Sequence, residues 1–440
     1  MEAKRKLIVR SILAIAFPSI ITNITTPLLG MTDVAIAGHL GSAVFVSAIA
    51  VGSNMFNMLY WLFGFLRMGS SGLTAQKLGA RKKDEAALVL LRALSIALFF
   101  GLLFIVLSHP LKGFLLKVMA VEGETYRLTS SYFEILIWGA PAFLCSFALT
   151  GWLLGMQNSK TPMYISILTD IVNILASIVL VFGFSLGIKG LAYGTLIAQW
   201  VGFIVCISIS IKRYRMPFFK LIKKIPDNDI FAFFRINFHI FLRTLLLVAV
   251  TLWFTRTGSK MGTDILAVNA IILQFFSLFS FFMDGFAYAG EALCGKFKGA
   301  ADRNSFFYTM KTLLKISFFL SVTFSCLYFL FGESLVSLLS SDSSIIIHSK
   351  EYLWWAITIP LAGFMAFSFD GIFIGSTETG AMLVSMAGAT LVFFTIYFFT
   401  FEHLRNHGLW CAFIAYLLTR GVILWGLSFR FKKDNYFNRL

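Results

Sequence analysis

An aspartate inside a long apolar run restricts this chain more than any other feature. Residues 11–37 read as one hydrophobic segment. Asp33 stands in it, at the end of Asn23-Ile24-Thr25-Thr26-Pro27-Leu28-Leu29-Gly30-Met31-Thr32-Asp33. An ionisable side chain in hydrocarbon costs at least a few kcal/mol unless it is paired, solvated or neutralised. The fold must therefore turn Asp33 toward other protein groups or water, and such a residue marks a functional site by default. Pro27, about two turns earlier, removes a backbone hydrogen bond and permits a bend.

The rest of the chain is of the same kind. Of its 440 residues 58% are hydrophobic and only 13% are charged, against about 25% charged in soluble domains. It reads as a polytopic membrane protein, with 50 phenylalanines suited to lipid contact and to an apolar cavity. The net charge of +16 does not point to nucleic acid, because Lys and Arg crowd into short segments between apolar runs, as the positive-inside rule expects. Five scattered cysteines make no CxxC and no metal-ligand spacing. The first run is too long for a signal-peptide core and is expected to be retained.

A membrane-spanning helix needs about 20 mostly apolar residues. Twelve segments qualify: 11–37, 43–66, 87–108, 130–154, 163–184, 190–211, 236–257, 264–289, 312–331, 352–374, 381–401 and 408–429. Alternate loops are rich in cations, so both termini are expected in the cytoplasm. The second half echoes the first at an offset of about 220 residues. Gly79-Ala80 matches Gly299-Ala300, Tyr132, Gly151 and Gly155 match Tyr352, Gly371 and Gly375, and Gly190-Leu191 matches Gly408-Leu409. The expectation is an all-α membrane protein. Six-helix halves at 1–211 and 236–440, joined by a linker at 212–235, would be related by a pseudo-two-fold along the membrane normal, with a central cavity.

Buried polar side chains carry the information, since each spanning helix satisfies its own backbone. On the fifth span Asp170, Asn173 and Ser177 share one face, and the sixth opens with Gly190-Leu191-Ala192-Tyr193-Gly194-Thr195. With Asp33, these oxygens could gather around a small hard cation, whereas a proton needs only a desolvated carboxylate. Asn, Ser and Thr in spans also serve simply to join helices. A second set, Asp284, Tyr288 and Glu291 on one face of the eighth span, Asp370 on the tenth and Arg243 on the seventh, reads as an acidic cluster, a substrate cavity or helix-tying ion pairs. Arg67 and Arg92 are expected to snorkel toward a helix end. Pro141 and Pro360 occupy matching places and suggest a shared kink. No GxxxxGK[ST], no HExxH and no convincing Ser/His pair is present, so neither an ATP-driven pump nor an enzyme is indicated.

The Asn23–Asp33 stretch with Ala37-Gly38-His39-Leu40 resembles the multidrug and toxic compound extrusion (MATE) family, in its DinF-like, DNA-damage-inducible branch. Phe65-Leu66-Arg67-Met68, Gly72-Leu73-Thr74-Ala75-Gln76, Gly151-Trp152-Leu153-Leu154-Gly155, the stretch from Asp284 to Glu291, and Asp370-Gly371-Ile372-Phe373-Ile374-Gly375 are similar to that branch too. The resemblance implies a cation-coupled antiporter of the bacterial inner membrane, with a cation site formed by Asp33, Asn173 and Thr195. Ser177 departs from the pattern, which has an aspartate there. One carboxylate suits a proton better than sodium, so proton coupling is expected, with sodium the alternative and no cofactor.

The expected cargo is a small organic cation or amphiphilic drug, handled by a monomer in contact with membrane lipid. Pro27 would serve as the hinge of the first helix. A lipid-linked precursor flippase is the rival reading, but it would want a cationic cavity, and the candidate residues here are mainly acidic.

Overall fold

The computed structural model describes residues 2–40, 42–215, 229–340, 342–433 and 436–437. Most of the linker expected at 212–235 lies outside them. Among the described residues every regular element is helical. Twelve helical segments are long and apolar enough to span a bilayer: Glu2–Gly38, Ala43–Gly79, Lys83–Val106, Gly123–Gly155, Lys160–Gly183, Ile188–Tyr214, Phe233–Lys260, Thr263–Gly299, Arg303–Leu339, Ser343–Gly375, Thr379–Leu404 and Asn406–Lys432. They are numbered below as the first to twelfth spans.

Several run well past the apolar segments seen in the sequence. The first, eighth and ninth have 37 residues each, or about 55 Å at 1.5 Å per residue against a hydrocarbon core of about 30 Å. Hydropathy locates the part in lipid. The helix continues beyond it because its hydrogen bonds are internal and its polar ends are soluble. Other spans are interrupted. The second consists of Ala43–Trp61 and Gly64–Gly79. In the fourth, a 3-10 turn at Ile137–Gly139 precedes Ala140–Gly155. Pro141 sits at the start of that last helix, where its missing N–H costs nothing. Pro360 lies inside the continuous helix Ser343–Gly375, so the two matching prolines stand in different backbones. A short helix, Ser108–Val118, follows the third span.

The chain divides into two compact units, Pro18–Phe234 and Arg235–Leu440, the latter including Met1–Phe17. The first helix thus contributes to both, and Pro18 stands at the changeover. The Pro18–Phe234 unit packs around Ile49, Phe56, Tyr132, Phe133 and Leu191. The other packs around Phe254, Phe275, Phe279, Tyr328, Trp410 and Phe413. Large apolar side chains such as Phe99, Phe319 and Phe399 project outward, where lipid rather than water solvates them.

The sequence echo is also an echo in packing. A Cβ on Gly151 would collide with the backbone carbonyl of Arg67, and one on Gly371 with that of Ala287. One turn on, a Cβ on Gly155 would lie 2.6 Å from Ser71 O, and one on Gly375 2.5 Å from Glu291 O. In each unit a small-xxx-small stripe lets two helices meet backbone to backbone, the membrane solution to association without a hydrophobic drive. Arg92 does not snorkel: it is buried, 6% exposed. Its place on the third span, two turns inside the helix, sets it against protein rather than at the interface.

In the Arg235–Leu440 unit described residues near both ends of the chain are tied down. Lys4 Nζ lies 2.7 Å from Asp302 Oδ2. Burial works against the charge of Asp302, but Lys4 and the Ser305 N–H outweigh it and hold the carboxyl below its ordinary range. Lys298 is buried, donating to Ser376 O at 2.6 Å beneath the Tyr436 ring. Phe431 and Phe437 both meet the ring of Phe306.

Candidate functional site

In the Pro18–Phe234 unit the first, fifth and sixth spans converge at Asp33. Its side chain is 4% exposed. Thr195 Oγ1 lies 3.4 Å from Asp33 Oδ2, and Asn173 Nδ2 donates to Thr195 Oγ1 at 2.8 Å. The Thr195 hydroxyl carries one proton. It has two acceptors for it, Asp33 and, at 3.1 Å, the Leu191 carbonyl.

Asp33 Oδ1, Asn173 Oδ1 and Ser177 Oγ are buried and make no hydrogen bond among the described residues. All three are oxygens, and two can only accept. The cluster is therefore short of positive partners rather than of acceptors, and no cation among the described residues pairs with Asp33.

Local sequence explains the convergence. Gly190 brings the sixth span against the Leu180 and Val181 backbone. That contact is made at a π-helical turn, Val179–Gly183, at the end of the fifth span. Ser177 Oγ presses against Gly194, one residue before Thr195. Thr25 Oγ1 lies 3.1 Å from Ser166 Oγ and 3.0 Å from Thr22 O. With the threonine proton given to Thr22, Ser166 donates to Thr25 and ties the first span to the fifth. Pro27 lies between this tie and Asp33, inside one continuous helix.

Of the expected residues, Asp33, Asn173 and Thr195 thus form one connected set. Ser177 lies on the same helix face, turned to Gly194. Asp170, one turn before Asn173, is half-buried and makes no hydrogen bond or ion pair with the set. Tyr132 is an addition that sequence reasoning missed. It is 2% exposed, feels the Asp33 charge, and places its phenol beside Ser53 and Thr195. Gly52 leaves room for its ring. The sequence marks this tyrosine only as the repeat partner of Tyr352, which gives it no place in the site.

The second set has a different character. Asp370, 7% exposed, accepts from Arg243 and from Arg420 through the same oxygen, Oδ2. Tyr416 packs beside both arginines and donates to Met386 Sδ at 2.9 Å. The Arg420 guanidinium lies 5.7 Å from the Phe367 ring centroid. Half-buried Asp284 adds its field to both arginines. Tyr288 is half-buried one turn beyond Asp284, and Glu291, at 1% exposure, is buried beside the tenth span. Arg420 was absent from the expected set. The signal was available, since it is an arginine inside an apolar run, like Arg243.

No group of three or more His, Cys, Asp or Glu suited to a metal ion occurs among the described residues.

The doubled frame is also what comparison with known proteins finds. The model of the MatE family matches residues 18–179 and again 236–398, and the chain belongs to that family of membrane transporters. Among its relatives, it is similar to DNA damage-inducible protein F of Escherichia coli, 34% identical over 93% of this chain and 90% of that protein. It is 23% identical to a probable multidrug resistance protein NorM of Thermotoga maritima, over 85% of this chain and 79% of that one. In fold it matches the bent form of the Vibrio cholerae MATE transporter VcmN, with a TM-score of 0.89, 14% identity and 99% of each chain covered. It is a multi-pass membrane transporter and not an enzyme.

Proposed function

We propose that this protein is a secondary active antiporter that exports cationic or amphiphilic compounds in exchange for inward protons, with Asp33 as the proton site. The observation that carries the reading is a single buried carboxylate whose second oxygen has no partner, and which no cation offsets, among the described residues. A charged carboxylate in such a place costs several kcal/mol, and a bound proton removes that cost. The multidrug name of the Thermotoga relative supports an organic cargo. The family's setting and the loop charges support a bacterial inner membrane with both termini cytoplasmic. A monomer holding the whole site suffices.

Facing outward, Asp33 takes a proton. The Thr195 hydroxyl is then released toward Leu191 O, and the neutral side chain no longer demands polar surroundings. The first helix bends at Pro27, where a backbone hydrogen bond is missing, and cargo is let go. Facing inward, the proton leaves and cargo binds again. Exchange requires that proton and cargo favour different states, because equal binding to both shifts nothing.

The test is dye efflux from reconstituted vesicles under an imposed pH gradient and, separately, an imposed sodium gradient. The pH gradient should drive efflux in the parent protein, and Asp33→Asn should reduce it to background with the protein still folded. Full efflux in Asp33→Asn removes the proposal. Drive by sodium alone moves the coupling ion to sodium at the same oxygens.

A further inference from the structure

We propose that the opening turns of the first helix and the facing turn of the ninth form a binding site for an anionic phospholipid, seated by its phosphate. A cavity of about 460 Å³ lies here, lined by Glu2, Arg5, Lys6, Val9, Arg10, Leu13 and Tyr308. All of these residues belong to the Arg235–Leu440 unit. The Arg5 guanidinium sits over the Tyr308 ring, 5.4 Å from its centroid, so the two helices meet at the cavity. On the ninth span Lys311 and Lys315 follow Tyr308 at i+3 and i+7, on the same side of the helix.

Three features separate this place from ordinary interfacial charge. The first is its balance. Arg5, Lys6, Arg10, Lys311 and Lys315 are exposed and are accompanied by one acid, Glu2. Some exposed lysines elsewhere in the chain have their own carboxylates, as in Lys82–Glu85 and Lys350–Glu333. Here Lys6 is paired with Glu2, both more than three-quarters exposed. Arg10, Lys311 and Lys315 form no ion pair among the described residues.

The second feature is depth. Arg10 and Lys311 stand at the ends of the apolar segments of their helices, where headgroups lie. The third is what continues inward. Val9, Leu13 and Phe17 follow at i, i+4 and i+8, and Phe17 is 59% exposed. A cationic mouth leading to an apolar stripe matches a phosphate on an acyl chain. Free phosphate would use only the mouth. Basic pockets between spanning helices on the cytoplasmic side are suited to anionic headgroups, and guanidinium groups grip phosphate oxygens in pairs.

The measurement is lipid retention by the purified full-length protein in neutral detergent, read by native mass spectrometry. Phosphatidylglycerol and phosphatidylcholine of the same acyl chains are compared, with inorganic phosphate as competitor. Each basic residue near an anionic surface is worth about fivefold in binding. The parent protein should therefore retain phosphatidylglycerol at least about tenfold better than phosphatidylcholine. Arg5→Gln with Arg10→Gln should bring that preference below about twofold. Lys212→Gln with Arg213→Gln, at the end of the sixth span, should leave it intact.

Equal retention of the two lipids by the parent overturns the proposal, as does a preference that survives the Arg5 and Arg10 changes. Displacement of phosphatidylglycerol by millimolar inorganic phosphate overturns the lipid assignment. If the double variant does not fold, Lys311→Gln with Lys315→Gln decides in its place, and an unchanged preference there is likewise fatal.

Discussion

The two halves of the chain share a frame and differ in how each treats a buried carboxylate. In one, Asp33 meets a hydroxyl and an amide, and its charge is offset by no cation among the described residues. In the other, Asp370 is held between Arg243 and Arg420. The step that carries Gly190 to Gly408 carries Thr195 to Phe413, and Asn173 falls near Phe393. Both phenylalanines are buried in the apolar core of their unit. In the reverse direction, Asp370 falls on Thr150 and Arg420 on Gly202. Backbone packing was duplicated, and each copy was given different chemistry. A carboxylate with resident guanidiniums has no use for a mobile cation. One without them does, which is the reason for assigning the proposed ion coupling to the half that holds Asp33.

The sharpest way to break this comparison is to neutralise each carboxylate in turn. Asp370→Asn leaves two buried guanidiniums short of their partner and should cost about 3–5 kcal/mol in stability, measured by thermal unfolding in detergent. Arg420→Leu should cost a similar amount, by leaving Asp370 with half its compensation. Replacing Asp370, Arg243 and Arg420 together by apolar residues of like volume should restore most of the loss. Asp33→Asn should change stability by less than about 1 kcal/mol while abolishing efflux. A large loss of stability there would erase the distinction.

A smaller effect tests the shared frame. Gly151→Ala and Gly371→Ala each force a methyl group against a backbone carbonyl, and each should cost about 1–3 kcal/mol. The two costs should agree closely, and a cost in one half alone would show that the packing is not equivalent.

The smallest effect concerns the tied terminus. Lys4→Gln should cost a few tenths of a kcal/mol, as exposed pairs do. The folded carboxyl of Asp302 lies below its ordinary range, so its contribution is present above that range and lost as pH falls through the folded value. The gap between parent and Lys4→Gln should therefore close below about pH 4.

Much of this was legible in the sequence. Twelve spans follow from apolar runs, since lipid permits only helices or closed barrels. The duplication follows from the order of glycines. Asp33 stood out because hydrocarbon penalises a charge whatever the fold. Helix ends were less legible: the first helix starts at Glu2 rather than near residue 11, because hydropathy reports the surrounding medium and not the backbone. Tyr132 was illegible for another reason, since a phenol in an aromatic-rich chain gains its meaning only from what it touches. Arg420 was readable by the rule that exposed Arg243, and its pairing with Asp370 changes an acidic cluster into a neutralised one.

The glycine stripes have a consequence for motion. Where Gly151 meets Arg67 and Gly371 meets Ala287, main chain lies on main chain with no rotamers between them to reshuffle. Such a seam behaves like a riveted joint, in which its two members travel together or part at a high cost. The fourth span then rides with the second, and the tenth with the eighth. The first helix, with Pro18 and Pro27 on its length, has gaps in its own ladder beside Asp33, and that is where the proposed hinge falls.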